Sequence, residues 1–156
     1  MKKTTKYMFV FIFIFILILP ATASYGASQD GALTSPPPMV IQPMGFFDST
    51  NTYLEQGSVK IGVNSDGTAT ITVDTVAKST VASIGGTVNL QKWTGSAWID
   101  VGTTTTLSGT NKWYFTGEVT KTTESGYYFR TRTTHWISNG SVYEQGIMYS
   151  NSFLAS

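Results

Sequence analysis

Few residues in this chain are equipped for chemistry. It holds one histidine, His135, and no cysteine. A cysteine nucleophile, a thiolate metal site, a disulfide scaffold and a cysteine-borne lipid anchor are therefore closed, and a histidine-rich metal centre with them. To act as a general base, His135 would need a nucleophile and an orienting group on nearby loops. No G-x-S-x-G elbow is present, and the Ser and Thr residues around His135 read as strand or turn positions. The carboxylates Asp30, Asp48, Glu55, Asp66, Asp74, Asp100, Glu118, Glu124 and Glu144 are scattered. None forms a local pair of the kind a glycosidase uses, although distant strands can bring two together, which keeps a small hydrolase as an alternative. Asn64-Ser65-Asp66-Gly67 begins like a calcium loop but lacks the later bidentate acid, and it reads as a turn. There is no phosphate loop and no dinucleotide fingerprint. No catalytic, metal or cofactor-binding residue is expected, and no cofactor.

Binding chemistry is better represented, towards the C-terminus. Asn139-Gly140 is a strong hairpin signal between two runs of strand-forming residues, 127–137 and 141–149. A two-residue loop at Asn139-Gly140 sets Ser138 opposite Ser141. Trp136 then opposes Tyr143, His135 opposes Glu144 and Arg130 opposes Tyr149. One face collects Phe129, Thr131, Ile137, Val142 and Met148 with the His135–Glu144 pair, and it reads as core. On this pairing Glu144 raises the His135 pKa, and some stability is lost as pH rises past neutrality. The other face collects Tyr128, Arg130, Arg132, Trp136, Tyr143, Ile147 and Tyr149. Guanidinium groups stack favourably on Tyr and Trp rings. This face is either a self-satisfied surface ladder or a flat binding platform built from Trp136, Tyr143, Arg130, Arg132 and Tyr149, with Trp98 as a possible addition. Asn139-Gly140-Ser141 also matches an N-glycosylation acceptor, but its place in a tight turn accounts for it.

The elements that must position these residues are strands. Val59, Ile61 and Val63 alternate with polar neighbours, as do Ala69, Ile71 and Val73, and Asn64-Ser65-Asp66-Gly67 joins them into a hairpin. Further strands are expected at 87–93 and 98–101, joined by Thr94-Gly95-Ser96-Ala97, at 103–107 as a short edge, and at 112–120. With the final hairpin this makes seven or eight short strands separated by turn signals. That pattern predicts an all-β antiparallel sandwich over residues 46–156.

Ahead of it lie two segments of different character. Lys2, Lys3 and Lys6 precede an unbroken apolar run at 7–19, closed by Pro20 and followed by Ala21-Thr22-Ala23, the pattern of a secretory signal peptide at 1–23. The run spans roughly 20 Å as a helix, short of the ~30 Å hydrocarbon core, so a retained anchor is the lesser alternative. Cleavage is expected after Ala23, with Ala27 the second choice. Residues 24–45 hold Pro36, Pro37, Pro38 and Pro43 and read as a flexible, extended spacer, with Met39-Val40-Ile41 as a possible edge strand. Of the ten basic residues three leave with the signal, and none of the nine acidic ones, so the whole-chain charge of +1 becomes −2. No basic stripe remains to neutralise phosphates, and nucleic acid is not an expected partner. Contact with a membrane is expected only through an uncleaved signal segment.

Two stretches resemble a known group of proteins. Val88-Asn89-Leu90-Gln91-Lys92-Trp93, its turn and Trp98-Ile99-Asp100-Val101 are similar to a hairpin of small exported β-sandwich proteins of Gram-positive bacteria, and the segment 125–135 followed by Asn139-Gly140 and Glu144 is similar to their later part. The likeness covers roughly 52–152. It implies an immunoglobulin-like or fibronectin-III-like sandwich, secreted or extracellular, and no particular activity. It also makes Tyr128, in Glu124-x-Gly126-x-Tyr128, resemble a tyrosine corner, with Arg130 standing where an immunoglobulin domain has its second Cys. The expected function is that of a non-enzymatic exported domain binding a surface, matrix or partner protein. The alternative is a carbohydrate-binding module with a cell-surface glycan as its ligand.

Overall fold

A computed structural model describes residues 30–39 and 45–156; the signal segment, its cleavage sites and the remainder of the spacer lie outside the described residues. The fold is all-β and antiparallel. Among the described residues six strands form one sheet: β1 (Leu54–Val63), β2 (Thr68–Trp93), β3 (Trp98–Thr122), β4 (Tyr128–Asn139), β5 (Val142–Tyr149) and β6 (Phe153–Leu154). The path runs β1-β2-β4-β5, with β3 along the other side of β2 and β6 beside β4.

Strand number differs from the seven or eight expected, because β2 and β3 are long and unbroken. Residues 74–86, rich in Ser, Thr and Gly, stay in strand conformation, and so do Ser108, Gly109 and Asn111. The sheet bends there instead of breaking. The β2–β3 register shifts between Val76 and Val81, and again between Val88 and Leu90. Shifts of this kind bend a strand and increase its twist. Beyond the first shift β2 exchanges neighbours on one side: β1 pairs with its first half and β4 with its second. The sheet therefore curls into two facing limbs. One holds β1 with the first half of β2 and the last part of β3. The other holds the second half of β2, the first part of β3, β4 and β5.

The core lies between the limbs. One cluster gathers Leu54, Val81, Ile84, Phe115 and Ile137; the other gathers Ile71, Val73, Val88, Leu90 and Phe129. These are the inward positions of the period-two pattern, and buried and half-buried residues alternate along β4 from Phe129 to Ser138. The limbs approach closely because small residues line the contact. A Cβ on Gly86 would lie 2.6 Å from Val73 Cγ1, and one on Gly57 would lie 2.7 Å from the His135 ring.

The last hairpin differs from expectation in its turn. Asn139 pairs with Val142, so the loop is Gly140-Ser141. Gly140 has φ 63° and Ser141 is not in the left-handed region, as a turn with glycine in its first central position requires. Moving the turn by one residue moves every cross-strand partner by two, so the faces expected from sequence are kept. The partners are not. His135 opposes Gly146, and Glu144 opposes Ile137.

Candidate functional site

The expected His135–Glu144 pair does not form. His135 is fully buried. It sits between Gly86 on β2 and Gly146 on β5, with Gly57 against its ring and the Phe47 ring centre 5.7 Å away. Its Nδ1 lies 2.8 Å from Thr75 Oγ1, whose hydroxyl donates to Gly85 O at 3.1 Å. With that proton committed to the carbonyl, Nδ1 is the donor to Thr75, and Nε2 is an acceptor with no partner among the described residues. Burial pulls the imidazole pKa down to about 4, the Asp74 charge opposing it, where Glu144 was expected to raise it. The side chain is a neutral core residue.

Glu144 points elsewhere. Its carboxylate accepts the N–H groups of Thr52, Tyr53 and Leu54, tying β5 to the start of β1. Burial alone pushes this carboxyl up, but the hydrogen bonds from Leu54, Tyr53 and Thr52 together outweigh it and hold the pKa below the usual range. Several other carboxylates are likewise engaged, each apart from the rest. Asp74 accepts from Ser58 and Tyr114, Glu118 from Thr72, Asp100 from Gln91, and Glu124 pairs with Lys92 at 2.8 Å. No group of three His, Asp or Glu suited to a metal ion occurs among the described residues.

The outer face of the second limb carries the residues picked out from sequence, divided into two clusters. At one end the Arg130 guanidinium lies between two rings, 4.4 Å from the Trp98 ring centre and 4.4 Å from that of Tyr149. Arg130 Nε donates to Gln91 Oε1 at 2.9 Å, and Gln91 Nε2 donates to Asp100 Oδ1 at 2.7 Å. At the other end Trp136 and Tyr143 stack, with ring centres 6.5 Å apart and planes 20° apart. Arg132 lies between the clusters, directly opposite Asn89 and Tyr149. The Arg130–Tyr149 and Trp136–Tyr143 contacts were expected between opposed residues. They form between diagonal ones, which aromatic and long side chains can reach.

Sequence reasoning named Trp98 of β3 as a possible addition to this face but missed Gln91 and Trp93 of β2. Trp93 opposes Trp98 across the hairpin of Thr94-Gly95-Ser96-Ala97, with ring centres 5.3 Å apart. That pair was legible in the hairpin register; its junction with Arg130 was not, because β4 meets β2 only in the tertiary structure. Trp93 is 7% exposed and Tyr128 6%, although both lie on the outer face. Residues 30–39 run across this end: Leu33 N–H donates to Gly126 O at 2.8 Å, and Trp93 Nε1 donates to Ser35 O at 3.0 Å. Tyr128 is thus not an inward-pointing corner residue, and its hydroxyl has no hydrogen-bond partner among the described residues. A cleft of about 220 Å³ opens where this segment meets the cluster, lined by Pro38, Met39, Trp98, Arg130, Ser150 and Asn151 among others.

No protein-family model and no curated protein matches this chain. Two solved structures share a partial likeness. The solution structure of CsgH from R. palustris is 16% identical, with a TM-score of 0.34, covering 60% of this chain and 91% of that one. The crystal structure of a protein from Archaeoglobus fulgidus is 15% identical, with a TM-score of 0.33, covering 66% of this chain and 98% of that one.

Proposed function

We propose that this chain is an exported, non-enzymatic β-domain that binds a surface, matrix or partner-protein ligand through the outer face of its second limb. The observation that carries the reading is the placement of Trp98, Arg130, Arg132, Trp136, Tyr143 and Tyr149 on that one face, while the sole histidine is sealed in the core. Aromatic and Arg side chains are the residues that dominate binding surfaces energetically. Export rests on the signal-peptide pattern at 1–23, and the extracellular setting agrees with the resemblance to small exported proteins of Gram-positive bacteria.

The curled sheet also supports an immunoglobulin-like reading of the architecture. Divided at their bends, β2 and β3 each supply two segments. The neighbours are then β1, early β2 and late β3 on one side, and early β3, late β2, β4 and β5 on the other. A strand that switches sheets through a bend is one way a sandwich makes its corners.

A second reading, a carbohydrate-binding module, is favoured by the Trp136–Tyr143 stack, in which Tyr143 is 59% exposed. Sugar rings dock on such exposed aromatic faces. Retention of the purified protein on chitin, cellulose or peptidoglycan, abolished by W136A and Y143A, selects the glycan reading. Absence of retention, with capture of a defined surface protein that depends on the same two residues, selects the protein reading. If neither variant alters any binding, the Trp136–Tyr143 end of the face is structural and the proposal fails for it. Fractionating culture into medium, wall and cytoplasm tests export separately.

A further inference from the structure

Trp93 lies on an outer sheet face yet is closed from water, and the segment that reaches its indole is Leu33-Thr34-Ser35-Pro36-Pro37-Pro38-Met39. Its sequence dictates its shape. Proline fixes φ, and a residue before proline is held in the extended region, so residues 35–38 are pre-set as a left-handed polyproline II turn with no internal hydrogen bonds. Ser35, the last residue before the three prolines, gives its carbonyl to the Trp93 indole N–H at 3.0 Å. Pro36 and Pro37 are half-buried, and Pro38 shares the cleft with Trp98 and Arg130. An aromatic-lined groove with an indole donor that meets a proline-flanked carbonyl is a general solution for recognising polyproline II segments. The ligand arrives already ordered and loses little entropy.

We propose that the Trp93–Trp98–Arg130 groove is a recognition site for extended proline-rich segments, filled in this chain by its own residues 33–39 and able to take a segment of the same chemistry from another polypeptide. The supports of the groove come from the sheet as well as from residues 33–39. Trp93 and Trp98 are fixed by their hairpin pairing, and Arg130 by stacking and by Gln91. The chain's own segment acts as a competitor at an effective concentration on the order of millimolar, so a ligand in trans must bind better or the segment must be displaced. This goes beyond the export-and-binding reading and fails separately from it, because Trp136 and Tyr143 lie at the other end of the face.

The test uses the purified full chain and the synthetic peptide LTSPPPM. In wild-type protein the Trp93 indole N–H is slow to exchange, and the peptide leaves its NMR resonance in place. In the triple variant P36A/P37A/P38A the Trp93 and Trp98 indole signals shift and exchange faster, while those of Trp113 and Trp136 stay put, which reports an intact fold. Added LTSPPPM then moves the two signals back saturably, with affinity about tenfold or more above that for wild type. LTSAAAM does not move them. Adding W93F to the triple variant weakens the peptide several-fold, by about tenfold at most. Wild-type dimers that dissociate on adding the peptide would be the same recognition made between two copies and would support it. A folded triple variant whose Trp93 and Trp98 signals ignore the peptide overturns the proposal, as does equal binding of LTSAAAM.

Discussion

His135 shows how one side chain can be misread when only its strand is known. Its neutral state is maintained by burial, so protonation is resisted in the folded chain and free in the unfolded one. The folded pKa of about 4 lies below the unfolded 6.5. Between those values the unfolded state binds more protons. Stability is therefore fully present above pH ~6.5 and is lost as pH falls towards 4, by at most ~3 kcal/mol. Urea unfolding of wild type and H135Q at pH 7, 5.5 and 4 checks this: the wild-type midpoint falls relative to the variant on acidification, and parallel curves would refute the assignment. The room for the ring is made by glycine. A Cβ on Gly146 would lie 2.2 Å from the Phe47 ring, so G146A is expected to cost about 1–3 kcal/mol as an overpacked core. In F47A much of that cost disappears, because the two changes share one space, and a double-mutant cycle measures the coupling. None of this was legible in the sequence. The signal lay in Gly57, Gly86 and Gly146, which are far apart in the chain and meet only when the limbs close.

At the scale of elements, most of what could be read locally was right. The alternation at Val59, Ile61 and Val63, and at Ala69, Ile71 and Val73, belongs to β1 and β2 paired as expected across Asn64-Ser65-Asp66-Gly67. The faces of the last hairpin survived a mistaken turn because the expected loop, Asn139-Gly140, and the observed one, Gly140-Ser141, differ by an even number of cross-strand steps. What failed was continuity. Ser, Thr and Gly in 74–86 are turn-like taken singly, yet β2 passes through them because each half keeps a different set of partners. Glu144 was misplaced for a related reason: its ligands are backbone N–H groups of Thr52, Tyr53 and Leu54, which carry no sequence signature. Charge-assisted hydrogen bonds of this kind contribute more than neutral ones. E144A is expected to lose about 1.5–3 kcal/mol and to loosen the attachment of β1 to β5. Hydrogen exchange at the amides of Tyr53 and Leu54 should rise in the variant before that of Ile71 or Val88. Uniform protection across all four would show that the carboxylate is dispensable.

For the whole molecule the exposed edges decide whether the chain stays single. The edge of β1 is partly covered, since Phe47 N–H donates to Glu55 O and Gly57 N–H to Gly45 O. Among the described residues β3 pairs only with β2 along its length from Trp98 to Thr122, so one side of it offers unpaired backbone groups. Such an edge invites pairing with another chain unless charge or curvature blunts it. Here the curl brings the two ends of β3 to the same side of the molecule, and Lys121 spans them. Its ammonium donates to Thr103 O at 2.7 Å and also to Thr105 Oγ1. One lysine thus occupies an edge carbonyl in the most strand-prone stretch, Thr103-Thr104-Thr105-Thr106, and places a charge where a second strand would approach. Replacing it with methionine keeps the length of the side chain and removes both effects. K121M is expected to unfold within about 1 kcal/mol of wild type, as one bond is exposed and the other only partly buried. It should also self-associate at concentrations where wild type sediments as one species. Sedimentation velocity over a concentration series reads the difference. A variant that stays as dispersed as wild type would mean that bend and twist protect this edge without the lysine, and that Lys121 serves only to join the limbs.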